Sequence, residues 1–104
     1  MSHVTDLVLI TGFSEETYPN NDRPIKKLND YLRQNHEREF KRVDEHAGGD
    51  RGFCSAVYLC AINWLNLHDL LEVFRSCKWT FSDTAMLLYK DEHDEQFTVC
   101  VKES

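Results

Sequence analysis

The 104-residue sequence is short of the features that announce a function. It holds no P-loop, GxSxG elbow, HExxH, EF-hand loop, GxGxxG or zinc-ribbon cysteine spacing, so the strong signatures of nucleotide, hydrolase and metal chemistry are absent. Cationic charge is in deficit. Twelve Lys and Arg stand against eighteen Asp and Glu, and the net charge of −6 repels a phosphate backbone, so no nucleic acid partner is expected. Long apolar runs are missing as well. The longest, Ala56 to Ile62, falls far short of the roughly twenty residues of a spanning helix, and no membrane partner is expected. Met1 to Phe13 carries no Lys/Arg-rich leader, and its apolar stretch from Leu7 to Ile10 is too short for a secretory core. The expected location is the cytoplasm.

Cysteine is present four times, at Cys54, Cys60, Cys77 and Cys100, but in no CxxC pair. In a reducing compartment these read as free thiols. Cys54 and Cys60 share one expected strand and lie roughly 20 Å apart along it, which excludes a disulfide between them. Cys54, Cys60 and Cys100 are expected to act as small buried hydrophobes.

What the chain does have is enough apolar content, 41%, for one domain with its own core. Asp6 to Thr11 reads as a first strand, covered on both sides because Leu7 to Ile10 is continuously apolar. Gly12 to Arg23 reads as a long loop. Asp22 is a plausible cap for a helix from Pro24 to about Gln34, in which Ile25, Leu28 and Leu32 share a face. A second strand, at an edge, is expected over Glu39 to Glu45, followed by the hairpin turn Ala47 to Gly52. Phe53 to Trp64 is apolar at both parities and reads as a central strand. Asn66 and Asp69 resemble a capping box opening a second helix that ends near Lys78. Thr84 to Tyr89 and Phe97 to Val101 read as a terminal hairpin.

The order βαββαββ predicts an α+β chain, with its first six elements matching a ferredoxin-like (split βαβ) two-layer sandwich and a C-terminal hairpin added. In that arrangement the first and third strands occupy the middle. The alternative is another α+β topology built from the same elements. The architecture hosts many chemistries and selects none.

Two loop ends gather chemistry-bearing residues. One brings together His36, His68 and His93 with Asp69 and Asp91 to Asp94, a donor set competent for zinc although no metal is expected. The other holds His46, Asp50 and Arg51 as catalytic candidates and Arg23, Arg51 and Trp79 as ligand-binding candidates, for a small anion. Polar turns and a core Trp account for the same residues without any ligand.

The expected function is a small non-enzymatic protein-interaction or regulatory module, with a protein partner or a homodimer and no cofactor. The terminal strands supply the reason: Ala85 to Tyr89, Phe97, Val99 and Val101 offer more apolar surface than a two-stranded ribbon buries in its own core. The alternative is a small enzyme or a ligand- or metal-binding domain using the loop His and Asp residues. An acidic mimic of nucleic acid is a third reading, weakened because only Asp91 to Glu95 is locally dense in acid.

Overall fold

A computed structural model describes residues 4–12, 24–35, 37–43, 55–77, 79 and 84–101. Its elements are β1 (Val4–Gly12), α1 (Pro24–Gln34), β2 (Lys41–Arg42), β3 (Ser55–Asn63), α2 (Leu67–Ser76), β4 (Met86–Asp91) and β5 (Thr98–Val101). The chain is therefore α+β, its described residues forming one five-stranded antiparallel sheet and two helices. The strand order is β2-β3-β1-β4-β5, with β1 central and β3 and β4 on either side of it.

The register explains which residues are core. On β1 the odd positions Thr5, Leu7, Leu9 and Thr11 are buried, whereas Val8 and Ile10 are only half-buried and Asp6 is exposed. The partners of the odd positions on β3 are Ile62, Cys60, Tyr58 and Ala56, and on β4 they include Tyr89 and Leu87. Leu28 and Leu32 of α1 and Leu70, Leu71 and Phe74 of α2 join these residues in one apolar cluster, so both helices cover the same face of the sheet. Cys100 of β5 reaches the cluster beside Leu87. Each fully buried Leu or Phe here contributes about 2–3 kcal/mol of hydrophobic transfer.

The helices begin and end for local reasons. Asn66 caps α2, its Oδ1 accepting from the Asp69 N–H at 3.2 Å. The reciprocal half of the expected box is altered: Asp69 Oδ2 accepts from the Asn66 side-chain amide at 3.0 Å, because an Asp is one methylene too short to return to the cap backbone. The Cys77 N–H closes α2 on Phe74 O at 3.3 Å. α1 ends where the Asn35 backbone and side-chain N–H groups both donate to Tyr31 O, at 3.2 and 2.8 Å. Its expected cap, Asp22, lies outside the described residues. Asn29 Oδ1 then accepts from the Phe40 N–H at 2.8 Å, which lays the chain leaving α1 beside that helix on its way to β2.

Several expectations shift. β1 begins two residues earlier than read, at Val4, because the buried Thr5 Oγ1 has a partner in Asp91 Oδ1 at 2.7 Å. β2 shrinks to Lys41–Arg42, prolonged by a bond from the Val43 N–H to Val57 O at 2.9 Å. β3 stops at Asn63 because Trp64 takes φ 60°, a left-handed conformation that breaks the ladder. β4 runs to Asp91 rather than Tyr89. Gly12 ends β1 pressed against Thr84: its N–H donates to Thr84 Oγ1 at 3.1 Å, and an added Cβ would sit 2.9 Å from that oxygen.

The largest correction concerns coverage. β1 is expected to be covered on both faces, but both helices pack on one face, and on the other Val8 and Ile10 are only half-buried. β5 pairs with β4 and widens the sheet.

Candidate functional site: the open face of the sheet

The face turned away from the helices carries the even residues of β1 and their neighbours. Across the strands, Val57, Ile10, Met86 and Val101 form one row by register, with Val43 beside Val57. The next row is Lys41, Leu59, Val8, Leu88 and Val99. Ala61, Asp6 and Lys90 follow, with Phe97 just ahead of β5. Two rows are thus apolar across every strand but for Lys41 at one edge.

Val8, Ile10, Val43, Val57, Met86 and Leu88 are half-buried, and the apolar side chains toward the two sides of the face are exposed. Leu59 is 43% exposed, Phe97 42%, Val99 53% and Val101 51%. Single exposed apolar residues are ordinary, but a contiguous apolar field across four strands is not. The surface also has relief. An open groove of about 580 Å³ lies on its β2–β3 side, floored by Val8, Leu59 and Ala61, walled by Lys41, Val43 and Arg38, and reaching Phe97. Val99 and Val101 stand on the β5 side as the more exposed border. Asp6, Lys41 and Lys90 make no ion pair with any described residue, so the few charges on the face remain available.

The residues proposed from sequence fall elsewhere. His46, Asp50, Arg51, Arg23 and His36 lie outside the described residues. His68 is exposed on the first turn of α2, its Nε2 3.7 Å from Glu72 Oε1. His93 is exposed in the β4–β5 turn. The carboxylates that accompanied these histidines are occupied in local structure: Asp91 takes the Thr5 hydroxyl, Glu92 Oε1 accepts from the Val4 N–H at 3.0 Å, and Asp94 Oδ2 accepts from the Asp91 N–H at 3.2 Å. Among the described residues no group of three or more His, Cys, Asp or Glu is placed to hold a metal ion. Trp79 sits in the core at 8% exposure, its indole N–H donating to Phe74 O at 3.4 Å and its ring centroid 5.5 Å from that of Phe74.

The described thiols are free and structurally engaged. Cys77 is buried and donates to Val73 O at 3.2 Å. Cys60 donates to Arg38 O at 3.2 Å, and burial pushes its thiol up to about 11, away from the thiolate that nucleophilic chemistry needs.

Sequence reasoning located the apolar surplus of β4 and β5 but missed Val8, Ile10, Leu59 and Val43 as members of the same surface. The available signal is the double parity of β1 and β3, which as sequence implies cover on both sides for β1 and a central position for β3. No helix among the described residues is long and apolar enough to cross a membrane. No protein-family model matches the chain, and neither a curated protein nor a solved structure matches it either.

Proposed function

We propose that the chain is a protein-interaction module that docks a protein on the open face of its sheet, and that docking rather than catalysis is its activity. The observation that carries this reading is the apolar field across four strands, exposed at Leu59, Phe97, Val99 and Val101. Apolar area of this extent left in water works against solubility, and covering it by a partner returns about 25 cal/mol per Å². A rigid sheet also limits the ordering cost of binding, since its strands are already held by their ladders.

The finer fold assignment belongs with the same proposal. A ferredoxin-like arrangement enlarged by β5 is supported by β1 lying between β3 and β4, by β2 pairing with β3, and by both helices packing on one face. Such a two-layer sandwich leaves its second sheet face for a further layer.

Photo-crosslinking in the native cell extract tests the function. A photoreactive side chain at Leu59 is expected to give protein adducts well above those from the same group at Glu72, on the exposed side of α2. Adducts no more abundant than at Glu72 would refute the docking face.

A further inference from the structure

Resting on the docking reading above, we infer that the occupant of the open face is a second copy of this chain, packed sheet against sheet about a two-fold axis running along β1.

Area is the first argument. Five strands about 4.8 Å apart and three side-chain rows about 6.8 Å apart make a footprint of roughly 24 by 20 Å, near 500 Å². Two such faces together supply about 1,000 Å², the level at which a specific interface begins, before corrugation and rim are added. The face is thus large enough to hold a dimer. Sheet-on-sheet packing at about 30° is a standard way for two apolar sheet faces to cover one another.

Shape gives the second argument and selects the axis. The face has a groove on its β2–β3 side and an exposed border, Val99 and Val101, on its β5 side. An axis in the interface plane and parallel to β1 reverses the strand order of the partner, so that β5 of each copy lies over β2 of the other. Border then meets groove twice. The alternative in-plane axis, perpendicular to the strands, would set border on border and groove on groove, leaving the hollow unfilled. In the favoured arrangement rows keep their level along the strand, and Val99 of one copy comes opposite Lys41 of the other.

Charge is compatible. The axis sets Asp6 opposite the second copy's Asp6, and Lys90 of each copy, one strand to either side in the same row, offsets that pair, so the described charges at the contact balance.

Sedimentation velocity over about 1 to 100 µM tests this, a range that spans Kd values typical of modest apolar interfaces. The wild-type chain is expected to be a dimer at the upper end. Val99→Lys, at an exposed position where folding tolerates a charge, is expected to weaken the dimer at least about tenfold, since it opposes Lys41 across the axis. Glu72→Lys on α2 should leave it unchanged. The double variant Val99→Lys/Lys41→Glu should restore the dimer, which a general loss of apolar contact would not. Circular dichroism confirms that each variant folds. A wild-type monomer at 100 µM would overturn the second copy as occupant; Leu59 adducts with a foreign chain would then still support the docking face. A dimer indifferent to Val99→Lys, or a double variant that stays monomeric, would overturn the border-in-groove arrangement.

Discussion

Adjacent residues on β4 offer a direct comparison of the two sheet faces. Leu87 points to the helices and is fully buried, while Leu88 points to the open face beside Val8 and Val99 and is half-buried. Truncating either to Ala removes the same atoms, worth about 2 kcal/mol in transfer when the side chain is wholly out of water. At Leu87 the neighbours Leu9 and Cys100 are held by the core, so a cavity remains, and the total expected loss is about 3–4 kcal/mol. At Leu88 roughly half of the transfer contribution applies and water fills the space, so about 1 kcal/mol is expected in a dilute, monomeric sample. Urea denaturation followed by circular dichroism at submicromolar protein measures both. At tens of micromolar the Leu88→Ala loss should grow, because the contact between copies then adds to the stability of the folded state by mass action. Equal losses at the two positions in dilute protein would refute the reasoning, since they would mean that a single chain covers both faces of its sheet.

Other expectations are more local. Asn66→Ala removes the acceptor for the Asp69 N–H and should destabilise by about 1 kcal/mol in the same denaturation assay, with Asn66→Asp close to neutral. Cys60 should react slowly with iodoacetamide at pH 8, because its thiol is raised to about 11 by burial. The folded value lies above the ordinary one of 9.0, so the contribution of Cys60 to stability is complete below pH 9 and is lost as pH rises toward 11. Cys60→Ala should flatten the stability profile in that window, as read by thermal melts between pH 8 and 11. The two tryptophans should separate optically: Trp64 is 67% exposed and Trp79 8%, so iodide should quench Trp64→Phe protein far less than Trp79→Phe protein. Similar quenching in both variants would place Trp79 outside the core.

The secondary elements were legible because their signals are local. Ile25, Leu28 and Leu32 repeat at helical spacing, Asn66 and Asp69 mark a helix start, and Leu7 to Ile10 can only be strand once Gly12 follows so closely. Element ends were less so. Thr5 looks like a flanking polar residue until Asp91, 86 positions away, supplies its hydrogen bond, and Trp64 gives no warning of a left-handed turn. The functional surface was half legible for a similar reason. Apolar side chains at both parities of β1 and β3 state that both faces leave water, but a sequence carries no mark of whether the cover is a helix of the same chain or a separate molecule. Histidines drew attention through their chemistry, yet His68 and His93 sit on exposed positions whose carboxylate neighbours serve caps and turns.

Native mass spectrometry of protein purified without chelator, sprayed from tens of micromolar, tests the central claim most directly, because one spectrum reads both subunit number and anything retained. The account expects a bare species at twice the 12.2 kDa chain mass, collapsing to the single mass in Val99→Lys. A single chain carrying a small molecule or ion, unchanged by Val99→Lys, would contradict it and turn the open face from a protein-docking surface into a ligand site.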